Sequence, residues 1–132
     1  MSEEFKIEVI SPEKSFFLKD NVREVVIPGY EGEMGILKDH ISLISFLKPG
    51  IIKVISTDGE EHFYVDDGIA EFKDNALSIL TSSIFNVKDK DNGFIANSIA
   101  IAEKELLKED LNDQSRFLIN HKIDILKSLS VN

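Results

Sequence analysis

The sequence predicts an all-β N-terminal part, an antiparallel sandwich or barrel, followed by an α-helical hairpin. Three observations carry this. From Phe5 to about Phe85 the apolar residues alternate with the two-residue period of strands that bury one face, and turn residues interrupt them. Beyond Val87 the apolar residues instead recur at helical spacing. Between the two lies Lys88-Asp89-Lys90-Asp91-Asn92-Gly93, a polar, turn-rich stretch that serves as a linker. The chain is therefore divided into a β domain over 1–87 and a linker with helical hairpin over 88–132.

Taken in order, Phe5, Ile7 and Val9 alternate with Lys6 and Glu8 and predict a first strand. Val22, Val25, Val26 and Ile27 form the next and run into Pro28-Gly29, a pair read as a turn. Ile51, Ile52, Val54 and Ile55 stop at Asp58-Gly59, and Phe63, Tyr64 and Val65 stop at Asp66-Asp67-Gly68. These are hairpin signals, because Asp-Gly tolerates the positive φ of tight primed turns. Ile69, Glu71 and Phe72 lead to a turn at Lys73-Asp74-Asn75, and Leu77, Ile79 and Leu80 form a last strand. Many short strands at this spacing imply antiparallel pairing. In the C-terminal part Ile95, Ile99, Ala102 and Leu106 fall at i, i+4, i+7 and i+11, and Leu118, Ile119, Ile123, Ile125, Leu126 and Leu129 give a second helix a broad apolar face. A short connection around Glu109–Asn112 makes the two antiparallel neighbours, with Asn112 or Asp113 as the second N-cap.

Composition removes several functional classes. The 132 residues contain no cysteine, which excludes thiolate catalysis, disulfides and sulfur-ligated zinc. A formal charge of −9 without any polybasic run argues against a sequence-independent grip on nucleic acid. The acidic start Met1-Ser2-Glu3-Glu4 resembles neither a secretory nor a transit signal, and the apolar runs fall far short of the ~20 residues of a spanning helix, so no direct membrane insertion is expected. Residues 1–88 hold 16 acids and 9 bases, whereas 89–132 hold 8 and 6, so most of the acidity belongs to the β domain.

No motif supports catalysis. There is no nucleophile elbow, and Gly29, Gly32 and Gly35 are not followed by the Gly-Lys-Ser/Thr of a phosphate loop. His40, His62 and His121 fall on three elements without metal-ligand spacing. The paired acids Glu60-Glu61 and Asp66-Asp67 sit at turn tips, where solvated carboxylates are the plain reading. A second reading uses Asp66, Asp67 and a histidine as a stand-alone hydrolase, or treats the sandwich as a small-ligand binder. The informative segment is Pro28–His40: Tyr30, Met34, Ile36 and Leu37 alternate with Glu31 and Glu33, as a surface that reads another protein would.

At this segment a resemblance emerges. Val9-Ile10-Ser11-Pro12-Glu13, then Pro28-Gly29, Glu31-Gly32-Glu33-Met34-Gly35-Ile36-Leu37 and His40, then Leu47-Lys48-Pro49-Gly50-Ile51-Ile52 and Tyr64-Val65-Asp66-Asp67-Gly68-Ile69-Ala70-Glu71 stand in one ordered set. The set resembles the epsilon subunits of the F-type proton-translocating ATP synthase, whose mitochondrial counterpart is delta. The resemblance implies a β-sandwich of about ten strands followed by two helices, and a non-catalytic place in the rotor, joining the gamma subunit to the ring of c subunits. It nominates Glu31, Gly32, Glu33, Gly35 and His40 as the ring and gamma interface, on one end of the sandwich. Pro28, Gly29, Pro49, Gly50 and Gly68 are expected to be structural turn residues.

The family's C-terminal helices fold back on the sandwich or extend along gamma toward the alpha/beta catalytic head, where they hinder ATP hydrolysis. Some members bind ATP through an Ile/Leu-Asp-x-x-Arg-Ala motif at the first helix. Here Asp91 is present but Phe94 replaces the arginine, so no ATP or other cofactor is expected. A second Asp-x-x-Arg, Asp113 to Arg116, lies in the wrong helix. The implied location is peripheral, on the cytoplasmic side of the bacterial inner membrane.

Overall fold

The computed structural model describes residues 3–130, so Met1 and Ser2 of the acidic start lie outside the described residues. Nine strands precede two helices: β1 (Phe5–Ser11), β2 (Lys14–Gly29), β3 (Gly32–Leu37), β4 (Leu43–Leu47), β5 (Gly50–Ser56), β6 (Gly59–Val65), β7 (Gly68–Lys73), β8 (Ala76–Leu80) and β9 (Ile84–Asn86), then α1 (Asn92–Glu105) and α2 (Asp113–Leu129). Two compact units form, the first ending at Phe85 and the second beginning at Asn86.

The strands make one hydrogen-bonded sheet in the order β1-β8-β7-β4-β2-β5-β6-β9, with β3 on β2 and an extra pairing of β1 with β2. That extra pairing folds the sheet back on itself. β2 is 16 residues long and works as two strands, pairing β1 up to Val22 and β3 and β5 from there to Gly29. This merging is why nine strands form where about ten were expected. β1 also runs parallel to β8, from Lys6 beside Ala76 to Ile10 beside Leu80, whereas β2 with β1, β3, β4 and β5, β4 with β7, β5 with β6 and β7 with β8 pair antiparallel. A pairing across so long a stretch of chain leaves no turn signal in the sequence.

Alternation decides what lies inside. Phe5, Ile7 and Val9 of β1 point into the core with Val22, Val25 and Ile27 of β2 and Ile52, Phe63, Phe72 and Ile79 from the later strands. Phe5 meets Phe72 edge-on with ring centroids 5.5 Å apart, a favoured aromatic geometry. Among the described residues, no buried side-chain polar atom lacks a hydrogen-bond partner.

The turns correct part of the sequence reading. Pro28 and Gly29 are not a turn: they close β2, opposite Glu33 and Gly32, and the reversal occurs at Tyr30-Glu31. Proline has no N–H for a ladder, but its carbonyl still accepts from the Lys48 N–H at 3.1 Å. Gly50 is likewise the first residue of β5, with Pro49 alone in the bend before it. A Cβ on Gly50 would lie 2.5 Å from the Pro28 Cβ, so the glycine permits close packing of two strands. Gly68 opens β7 after the Asp66-Asp67 reversal, and a Cβ there would lie 2.8 Å from the Leu80 carbonyl oxygen. Asp74 and Asn75, both at positive φ, make the two-residue turn between Lys73 and Ala76.

In the second unit, Asp91 caps α1 by accepting from the Phe94 N–H at 2.9 Å, and Asn112 caps α2 by accepting from the Ser115 N–H at 2.7 Å. A short 3₁₀ turn at Val87–Asp89 occupies the start of the expected linker. The helices pack on each other, with Ile95, Ala102, Ile123 and Leu126 buried. Arg116 donates to the Leu106 carbonyl at 3.3 Å, so its cation sits at the C-terminal end of α1, where unpaired carbonyls favour positive charge.

Candidate partner-binding face

A strand whose apolar residues occupy both parities is covered on both faces or exposes one apolar face. β4 reads Leu43-Ile44-Ser45-Phe46-Leu47 and buries Leu47, leaving Ile44 and Phe46 outside, 65% and 60% exposed. Its neighbours continue the pattern. Phe46 stands beside Ile69 of β7, and Ile69 beside Leu80 of β8, whose own neighbour on β1 is Ile10. Ile69 and Leu80 are 41% and 53% exposed. A transverse apolar row thus crosses four strands on the outer face. Tyr30 extends it, its N–H donating to the Phe46 carbonyl at 3.0 Å.

Ile10, Pro12, Tyr30, Phe46, Ile69 and Leu80 line a groove of about 580 Å³, with Asp67, Thr81 and Ser82 at its polar side. A second groove of about 410 Å³ joins Tyr30 and Phe46 to Glu31, Met34 and Ile44. An apolar floor with carboxylates beside it suits a protein partner. The sequence reading missed Ile44, Phe46, Ile69 and Leu80, although the consecutive apolar pairs Leu43-Ile44, Phe46-Leu47 and Ile79-Leu80 were a legible signal.

The nominated residues divide. Glu31, Gly32 and Glu33 come together at the β2–β3 turn, beside Tyr30, with both glutamates exposed. Gly35 lies mid-strand, where a Cβ would meet Glu24 Oε2 at 3.0 Å. His40 is elsewhere. The turn adjoins the Leu47 end of β4, whereas the His40 ring stands edge-on to Phe72, which pairs with Leu43 at the other end. Four residue steps separate those ends, about 14 Å at strand rise. Ile36 is fully buried and Met34 packs against the core, so of the expected apolar reading surface Tyr30 and Leu37 alone are exposed.

The acids of the hydrolase reading are structural. The Tyr64 O–H donates to Asp66 at 2.9 Å, and Asp67 accepts from the Ser82 N–H and hydroxyl at 3.1 and 2.8 Å. Burial first, then the neighbouring Asp66 carboxylate, pushes the Tyr64 phenol well above its ordinary range. His62 pairs with Glu60 instead. Among the described residues no three His, Asp or Glu side chains cluster to hold a metal ion.

The face is that of a recognisable module. Residues 4–87 match the family model described as "ATP synthase, Delta/Epsilon chain, beta-sandwich domain". The chain belongs to the ATP synthase delta/epsilon family. Over 130 residues it is 60% identical to the ATP synthase epsilon chain of Pelagibacter ubique, covering 98% of this chain and all of that one. It is 37% identical over 117 residues to the epsilon chain of Mesorhizobium japonicum, 88% of this chain and 85% of that one. The fold is similar to a chain in the cryo-EM structure of Euglena gracilis mitochondrial ATP synthase, OSCP/F1/c-ring in rotational state 1, with a TM-score of 0.74 at 20% identity, covering 98% of this chain and 80% of that chain. A Tetrahymena thermophila mitochondrial ATP synthase structure of the central stalk and c-ring contains another similar chain, with a TM-score of 0.66 at 13% identity and 96% of each chain covered. No described helix is long and apolar enough to cross a membrane.

Proposed function

We propose that the chain is a non-catalytic rotor subunit of an F-type ATP synthase, joining gamma to the c-ring so that proton translocation is coupled to ATP synthesis. The observation that carries this, beside family membership, is that exposed Phe46, Ile69 and Leu80 stand in register as one continuous row across three strands. Gamma covers that row, and the acidic Tyr30–Glu33 turn meets basic or polar loops of the ring. Because His40 lies at the opposite end of β4 from the turn, we read the His40-Ile41 loop as the far edge of the gamma contact rather than a ring contact. Covering a half-exposed Phe, Ile or Leu contributes about 1 kcal/mol each, whereas exposed Glu pairs contribute ~0–1 kcal/mol and fix register.

Peripheral attachment on the cytoplasmic side of a bacterial inner membrane follows from this role. The α1–α2 hairpin damps ATP hydrolysis by engaging the alpha/beta head. ATP is not its ligand: Asp91 is engaged as a helix cap, and Phe94 carries Lys90 Nζ 4.7 Å above its ring where a phosphate-binding arginine would be needed. The test is reconstitution. Phe46→Asp should abolish co-purification with gamma while the circular dichroism spectrum stays that of the parent chain. Retained co-purification would overturn the assignment of this face.

A further inference from the structure

The β3–β4 connection, Lys38–Ser42, carries His40 and the chain's Ile41, which is 78% exposed. Five residues of irregular connection would ordinarily sample many conformations. Here Asp39 and Asn75, 36 positions apart, bond reciprocally. The Asp39 N–H donates to Asn75 Oδ1 at 2.6 Å, and Asn75 Nδ2 donates to Asp39 Oδ1 at 2.9 Å. Both residues hold left-handed backbone, at φ of 66° and 57°. The Asn75 carbonyl also accepts from the Lys6 N–H at 3.2 Å, so one asparagine ties the β7–β8 turn to the start of β1 and to the loop. His40 is then fixed twice. Its N–H donates to the Leu37 carbonyl at 3.1 Å, and its Nδ1 lies 2.8 Å from the Ile41 carbonyl, which can only accept, so Nδ1 is the donor.

We propose that Asp39 and Asn75 are positioning residues, a latch that holds the His40-Ile41 loop in the shape that gamma recognises. Asparagine is suited to the post because it tolerates left-handed φ and offers a donor and an acceptor together. Aspartate at the same position would set two carboxylates against each other. Glycine would keep the backbone and lose the latch. The proposal rests on the reading of this loop as part of the gamma contact, and the ring contact at the other end of β4 supplies an internal control.

The experiment uses the full chain, with amide hydrogen exchange read by nuclear magnetic resonance and binding measured separately to purified gamma and to the purified c-ring. Asn75→Gly should speed exchange at the Asp39 and His40 amides and weaken gamma binding roughly three- to ten-fold, the loss of two hydrogen bonds' worth of preorganisation, with ring binding unchanged. The swap Asp39→Asn with Asn75→Asp rebuilds the pairing and should restore gamma binding to within about two-fold of the parent chain, whereas Asn75→Asp alone should not. Unchanged exchange, unchanged gamma binding, equal losses toward both partners, or a swap that fails to restore binding would each overturn the latch. If His40→Ala and Ile41→Ala leave gamma binding intact while Phe46→Ala reduces it, the latch has no contact to present and is overturned, but the rotor reading stands.

Discussion

Gly50 offers a prediction whose size can be worked from the structure. Replacing it with alanine puts a Cβ 2.5 Å from the Pro28 Cβ and 3.1 Å from the Pro28 Cγ. Ordinary carbon contacts lie at about 3.5–4.0 Å, so β2 and β5 must separate by roughly 1 Å there, against the pairing of Pro28 with Glu33 of β3 and of Gly50 with Val65 of β6. Neither atom can swing away, because a proline ring is fixed. Overpacking of this kind costs about 1–3 kcal/mol, against which the lower entropy of an unfolded alanine returns ~0.4–1 kcal/mol. The net expectation is a loss of about 1–2 kcal/mol, or a urea midpoint lower by about 1 M for a domain of this size. The assay is urea unfolding followed by the near-ultraviolet signal of Tyr64, which is buried and stacked on Phe85 at 5.1 Å and so reports the sandwich. Gly35→Ala is the comparison. Its Cβ would meet only the end of the Glu24 side chain, which can rotate away, and the midpoint should hold or rise. A Gly50→Ala chain as stable as the parent would refute the packing argument.

Tyr64 predicts the alkaline limb. Its phenol is held above the ordinary value of 10 by burial and by Asp66, so the folded state keeps a proton that the unfolded chain releases, and stability falls as pH rises above 10. In Tyr30→Phe, where Tyr64 is the remaining tyrosine, phenolate absorbance should appear together with unfolding; its appearance near pH 10 with the near-ultraviolet spectrum intact would contradict this. Asp91→Ala should fray the first turn of α1 by about 1 kcal/mol, seen as faster amide exchange at Phe94, and calorimetry of the parent chain with MgATP should register no binding. Measurable heat of saturable binding would refute the reading of Asp91 as a cap alone. Glu31→Gln with Glu33→Gln should weaken ring binding modestly and reduce its salt dependence while leaving gamma binding unchanged. Unaltered salt dependence would remove the acids from that contact.

Local chemistry was the legible part of this chain. Asp74-Asn75 announced its turn because few residues adopt positive φ; Asp58-Gly59 marked a reversal that falls one residue earlier, at Thr57-Asp58, with Gly59 opening β6 opposite Ser56; and Phe5, Ile7 and Val9 announced an inward face because a strand's period is two. The helical stripe and the Asn112 cap of α2 followed from the same kind of rule, whereas the Asp91 cap of α1 was not read. What failed to show was non-local. Pro28-Gly29 carries a turn's composition, but pairing with β3 and the Lys48 hydrogen bond draw it into β2 and move the reversal to Tyr30-Glu31. Ile36 alternates with acids as a binding residue would, yet the pairing of β3 with β2 turns it inward. The candidate site was half legible. Glu31 and Glu33 stood out as an acidic, glycine-rich turn, whereas Phe46, Ile69 and Leu80 lie in three strands and become one row through register alone. The resemblance grouped His40 with the glutamates, but β3 runs on to Leu37 between them and carries His40 to the other end.

On the proposed function, gamma covers the β4–β7–β8 outer face. Oxidative footprinting of the full chain, free and bound to gamma, reads that directly on side chains. Phe46, Ile69 and Leu80 should lose most of their reactivity on binding, while Leu18, equally exposed but on β2, keeps its own. Unchanged labelling of Phe46, Ile69 and Leu80 in a complex that demonstrably contains gamma would contradict the account.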